Sequence, residues 1–196
     1  AYALEGSGNY GDQPTLDAYS RNSVVGDSAA LRTFGNDNVA MGFKALNANT
    51  SGSKHVAVGS RALERTTATY PNTAVGYFSM DSITTGFANT ALGSFSLSAN
   101  KTGFNNVAVG NAAMFESTAG NNNTAVGNDA GRFIGGNQNT AIGSAALRND
   151  SIGVDNVAVG YQASFAADTA SLTIAIGRSA MFYNLKSENT AVGANA

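Results

Sequence analysis

The 196-residue chain has no cysteine and no tryptophan, two prolines and a single histidine. Without cysteine there is neither a disulfide framework nor a thiolate zinc site, and one imidazole cannot supply a histidine-rich metal centre. Charged side chains are 12% of the residues, about half the quarter usual in a globular domain. With a formal net charge of −2, the chain lacks the basic field that a nucleic acid requires. No run of about eighteen apolar residues is present, so no membrane insertion is expected. No basic segment leads into an apolar run, so no signal peptide is expected. The absence of cysteine fits work outside a reducing cytosol. A hydrophobic content of 43% excludes a disordered chain, which needs low hydrophobicity and high net charge.

What the sequence does contain is a repeat. A pentapeptide such as NVAMG, HVAVG, NTAVG or NTAIG recurs eleven times, closing on Gly26, Gly42, Gly59, Gly76, Gly93, Gly110, Gly127, Gly143, Gly160, Gly177 and Gly193. Successive glycines lie 16 or 17 residues apart, a mean of 16.7 over the ten intervals from Gly26 to Gly193. The third residue after each glycine is Ala or Ser, from Ala29 to Ala196. The next is usually large and apolar, as in Leu46, Leu63, Met80, Leu97, Met114, Leu147 and Met181. A second glycine stands seven residues before the motif glycine in seven units: Gly35, Gly52, Gly86, Gly103, Gly120, Gly136 and Gly153.

The apolar runs are too short for helices, and Val, Ile and Thr favour strands that Gly and Asn terminate. Each unit reads as two short strands separated by turns. A period near 17 is too short for a helical hairpin repeat or a propeller blade. The expected fold is all-β: a β-solenoid, or parallel β-roll, of about eleven coils of 16–17 residues. At about 4.8 Å per coil it makes a rod roughly 50 Å long. The motif glycine suits a corner that needs positive φ or close backbone approach. Asn opens nine of the eleven motifs, with His55 and Thr173 as the exceptions; stacked asparagines hydrogen-bond from coil to coil. Residues 22–196 form the repeat domain. Residues 1–21, with Pro14 and several glycines, fall outside the period and read as an N-terminal cap or insertion in a fragment of a longer fibre.

Neighbouring strand residues face opposite ways, yet both residues before the motif glycine are apolar. One is Ala in ten units, and the other is always Val, Ile, Leu or Met. One column can line the coil; the other needs a second surface. The pattern therefore predicts lateral self-association, as a homotrimer packed about a common axis. Sequence does not decide which column faces that axis.

Chemistry is sparse. His55 occupies the Asn column and reads as a turn or ladder residue. The nine Asp and four Glu show no repeated pairing of the kind acid–base catalysis needs. Gly6–Gly11 matches G-x-G-x-x-G but lacks the strand, the helix and the later acidic residue of a dinucleotide site. The expectation is no enzyme, no catalytic residue, no metal site and no cofactor. Thr73, Thr90, Thr124, Thr140 and Thr190 raise ice binding, but Val39, Val56, Val107, Val157 and Ile174 interrupt the column, as a half-buried packing position would. Phe115, Phe133, Phe165 and Phe182 fall five or six residues after the motif glycine and read as packing; in the polar surroundings of the loops, exposed rings would stack on sugars.

The pattern [NH]-x-A-[VI]-G-x-x-[AS], as in NVAVGNAA at 106–113 and HVAVGSRA at 55–62, resembles the head repeats of trimeric autotransporter adhesins of the YadA type. The longer N-T-A-V-G-x-x-A-L unit resembles repeats of bacteriophage tail fibres. The resemblance covers residues 22–196. It implies a trimeric left-handed parallel β-roll in a virion appendage, an extracellular structural and attachment segment. Its expected partners are two sister chains and a cell-surface glycan or protein receptor. The second reading is the head of a bacterial surface adhesin. The third is an ice-binding solenoid.

Overall fold

The computed structural model describes residues 21–33, 35–166, 169–183 and 186–196. The off-pattern stretch 1–20, with Tyr2, Tyr10, Tyr19 and the Gly6–Gly11 match, lies outside the described residues. Eleven three-residue strands are present: β1 (Ser23–Val25), β2 (Val39–Met41), β3 (Val56–Val58), β4 (Thr73–Val75), β5 (Thr90–Leu92), β6 (Val107–Val109), β7 (Thr124–Val126), β8 (Thr140–Ile142), β9 (Val157–Val159), β10 (Ile174–Ile176) and β11 (Thr190–Val192). They form one parallel sheet in sequence order. Ala108 pairs with Ala91 on one side and with Ala125 on the other. Each strand therefore belongs to one turn of a β-solenoid, and equivalent motif residues stack in columns.

The expectation of two strands per unit fails. The x-x-A-L segment is not a strand but a run of turns in which the second and fourth residues after the glycine adopt the left-handed region. Examples are Ala112 (φ 53) with Met114 (φ 52) and Phe95 (φ 58) with Leu97 (φ 52). This alternation explains why Ala113 and Met114, adjacent in sequence, are both fully buried, which a pleated strand forbids. The backbone still bonds to both neighbouring coils. Ala112 N–H donates to Ser94 O at 2.9 Å and Met114 N–H to Ala130 O at 3.0 Å.

The coil is narrow, and that settles which column goes inside. Ala40, Ala57, Ala74, Ala91, Ala108, Ala125, Ala141, Ala158 and Ala175 are fully buried. They face the Ala or Ser column and the Leu or Met column of the opposite wall in one continuous core. In these nine coils a methyl group fills the space between strand and wall, and in the first coil the partly buried Val24 takes its place. The residues at the two ends of each strand point outward.

At the corner, Gly110 has φ +131. A Cβ there would sit 2.5 Å from Gly127 O, so neither the conformation nor the space admits a side chain. The 16-residue coil from Gly127 to Gly143 differs from its 17-residue neighbour in one loop. Two residues separate the interior Ser117 from Gly120, but one separates the corresponding Ile134 from Gly136. The strands keep register across that shortening, with Thr124 opposite Thr140.

Candidate interaction surfaces

The Asn column is a buried ladder that ties coil to coil. The side-chain oxygen of Asn89 accepts the backbone N–H of Asn106 at 3.0 Å, and that of Asn106 accepts the backbone N–H of Asn123 at 2.9 Å. The amide nitrogen of Asn106 donates to Gly120 O at 2.7 Å, a loop carbonyl of the next coil. Asn38, Asn72, Asn89, Asn123, Asn139 and Asn156 repeat this reach to a loop carbonyl. The amide side chain thus satisfies a buried donor and a buried acceptor at once.

His55 performs both functions in the same place. Its Nδ1 accepts Asn72 N–H at 3.1 Å, and its Nε2 lies 3.0 Å from Ala68 O. A ring nitrogen that accepts a backbone N–H carries no proton, so Nε2 holds the hydrogen and donates it to Ala68. Burial pushes the imidazole below its ordinary value near 6.5, partly offset by the bond to Ala68. The ladder reading of His55 therefore has a concrete geometry.

Among the described residues no group of three His, Cys, Asp or Glu side chains is placed to hold a metal ion, and no helix is long and apolar enough to cross a membrane.

Outward surfaces include the sheet face, an aromatic ribbon and, in the loop ahead of the strands, a smaller stack of Tyr70, Phe87 and Phe104 with ring centroids 5.6 and 5.2 Å apart. The first is the outer face of the sheet, made of two parallel columns. One runs Ser23, Val39, Val56, Thr73, Thr90, Val107, Thr124, Thr140, Val157, Ile174 and Thr190; the other runs from Val25 to Val192 and is aliphatic throughout. No charged residue lies in either column. The side chains are half-buried to exposed, with Leu92 and Ile142 at 50% and 42%. Thr73, Thr124 and Thr140 are half-buried, and Thr90 and Thr190 are exposed.

The second surface runs along the adjacent side of the coil, beyond the glycine corner. There Arg61 lies over the Phe78 ring (5.0 Å), Phe78 stacks on Phe95 (5.8 Å, 19°), and Phe95 meets Phe115 nearly at right angles (5.9 Å, 87°). Arg132 bridges Phe115 and Phe133 at 5.2 and 5.5 Å, and Arg148 bridges Phe133 and Phe165, both at 5.7 Å. Phe165 then stacks on Phe182 at 4.9 Å. The rings pack on one another and on the guanidinium groups from coil to coil along the outside of the rod, not in its core. Sequence reasoning missed the part played by Arg132 and Arg148, which share the coil position of Phe115 and Phe165.

No protein-family model, no curated protein and no solved structure matches this chain.

Proposed function

We propose that this chain is a non-enzymatic structural and attachment segment of a homotrimeric fibre, with a phage tail fibre as its setting, and that its rod projects or forms a host receptor-binding surface. The carrying observation is the outer sheet face. Eleven strands present two unbroken, uncharged columns, while the alanine column is already sealed inside the coil. Contiguous apolar surface of this kind marks an interaction site.

Magnitudes support sister chains as the cover. Burying a fully exposed Val or Leu is worth about 1.5–3 kcal/mol. Eleven aliphatic positions, each about half exposed, contribute on the order of 10 kcal/mol per chain, so three chains gain on the order of 30 kcal/mol. Two association steps cost about 8–30 kcal/mol, and the gain matches or exceeds that. Identical columns with one coil spacing also pair in register about a threefold axis without any charge pattern to direct them.

The test is solution mass by light scattering. A particle near three times 19.9 kDa supports the reading, and a monomer that stays soluble at high concentration contradicts it. The same rod would serve a bacterial adhesin head. Adjoining sequence separates the two settings: a membrane-anchored coiled coil with a β-barrel for the adhesin, a virion chaperone domain for the fibre. The ice-binding reading draws on the same flat, uncharged Thr/Val face. It requires a monomer that shows thermal hysteresis, so the mass measurement divides it from the fibre.

A further inference from the structure

Backbone stacking of the coils does not depend on the aromatic ribbon. In coils where its column is filled by Asn47, Glu64, Asp81 and Ser98, the inter-coil bonds are the same. Ala48 N–H donates to Glu64 O at 2.9 Å and Ser82 N–H to Ser98 O at 3.2 Å, against 3.0 Å from Ala99 to Phe115 O and 2.8 Å from Glu116 to Arg132 O. The ribbon of rings and guanidinium groups is therefore not required for the coils to stack, and a second, shorter ring stack of Tyr70, Phe87 and Phe104 on the loop side carries no guanidinium contact among the described residues.

The stacked order breaks in the middle of the ribbon. Between Phe95 and Phe115 the rings turn nearly perpendicular, and Tyr77 stands edge-on to Phe95 at 5.4 Å and 89°. A shallow hollow of about 220 Å³ opens there, lined by Phe95, Ala112, Phe115 and Arg132. Tyr77 beside it is half exposed. The hollow is smaller than a drug-sized site of about 300–1,000 Å³, so it seats one ring of a longer chain that continues along the rod.

Charge defines the ligand further. Arg132 is paired with Glu116 at 3.1 Å and Asp129 at 3.2 Å, and Arg61 with Glu64 at 3.7 Å. Among the described residues Arg148 has no carboxylate partner, its bonded neighbour being Asn149 Oδ1 at 3.3 Å. Lys44 also reaches Glu64 at 3.9 Å and Asp81 stands in the same column, so four cations, Lys44, Arg61, Arg132 and Arg148, against four carboxylates, Glu64, Asp81, Glu116 and Asp129, leave the ribbon neutral. A neutral surface gains no counterion release from a polyanion. Its carboxylates accept hydroxyl hydrogens, its guanidinium edges donate to hydroxyl oxygens, and its rings receive apolar C–H faces.

We propose that this ribbon, centred on the Tyr77–Phe95–Phe115–Arg132 hollow, is the attachment surface of the rod and binds an extended, uncharged polysaccharide laid along its axis. The proposal rests on the attachment reading above and adds the partner's chemistry and place. The ribbon lies beyond the glycine corner, on a different side of the coil from the sheet face that sister chains would cover.

Native affinity electrophoresis tests it, with the whole chain run in gels containing dextran, galactomannan or soluble starch, each compared with a polysaccharide-free gel. At least one of these retards the wild-type protein. Phe115→Ser, which installs the residue found at Ser98 in the same column, and Tyr77→Ser each weaken the retardation at least threefold with melting curves superposed on wild type. Three results overturn the proposal: no retardation in any of the three gels, retardation by heparin or oligo(dT) alone, or undiminished retardation of both variants. Solution mass reports separately on the trimer, so loss of polysaccharide binding and loss of the fibre reading remain distinguishable.

Discussion

Replacing Asn106 by alanine tests whether the buried ladder holds the coils together. The side chain donates to Gly120 O at 2.7 Å and to Asn89 Oδ1 at 3.1 Å, and accepts Asn123 N–H at 2.9 Å. Alanine leaves the Gly120 carbonyl and the Asn123 N–H buried without the partner that satisfied them; Asn89 Oδ1 keeps the backbone N–H of residue 106. Each unsatisfied buried group costs about 1–3 kcal/mol, so Asn106→Ala should destabilise by about 2–6 kcal/mol. For a chain of this size 1 kcal/mol moves Tm by about 2–4 °C, which places the expected drop at about 4–24 °C. Far-UV circular dichroism melts measure it at fixed protein concentration. The control is Asn111→Ser, an exposed position whose counterpart in the preceding coil is Ser94; it should stay within about 0.5 kcal/mol. A drop below about 2 °C for Asn106→Ala, or an equal drop for the control, refutes the view that the amide ladder rather than the apolar core sets coil-to-coil stability.

Four further outcomes are expected. Gly110→Ala combines an unfavourable φ with a carbon placed on the next glycine and should destabilise by more than about 3 kcal/mol in urea titration. The folded-state pKa of His55 is lowered, so its contribution is intact above pH 6.5 and is lost as acid protonates the unfolded chain first. The stability difference between wild type and His55→Asn should therefore change below pH 6.5 with a slope of up to about 1.4 kcal/mol per pH unit, and equal pH profiles would reject it. Asn suits the site because Asn123 spans the same 13-residue gap to its loop carbonyl at 2.9 Å. Val109→Lys with Val126→Lys charges the sheet face without touching the buried alanines, and light scattering should show a folded particle of 19.9 kDa. Ala88 holds φ +54 directly before a ladder asparagine, where Asn105 and Asn122 stand in later coils; Ala88→Asn should raise stability by about 0.5–1 kcal/mol in thermal melts.

The period, the parallel coil and the glycine corners were legible because each follows from residues that recur at fixed spacing. The second strand was misread for a physical reason. An Ala-Leu pair looks like strand material, and nothing in Ala112 or Met114 announces a left-handed backbone, which ordinary L residues adopt only when the surrounding hydrogen bonds impose it. The direction of the alanine column was equally hidden, since it depends on coil width, a product of those same turns. The Asn ladder was legible as a ladder, but its second role, reaching a loop carbonyl of the next coil, was not. Of the aromatic ribbon, sequence showed the recurring phenylalanines. It did not show Arg132 and Arg148 lying between them, because stacking of unlike residues leaves no repeat.

The loop that absorbs the difference between 16 and 17 residues gives the rod a permissive edge. Because Thr124 and Thr140 stay opposite one another across the shorter coil, length changes there are invisible to the sheet and to whatever packs on it. One margin of each layer is free to drift in size and composition while the rest is held to a narrow template. New surface chemistry can be sampled there, layer by layer, without disturbing the strand register.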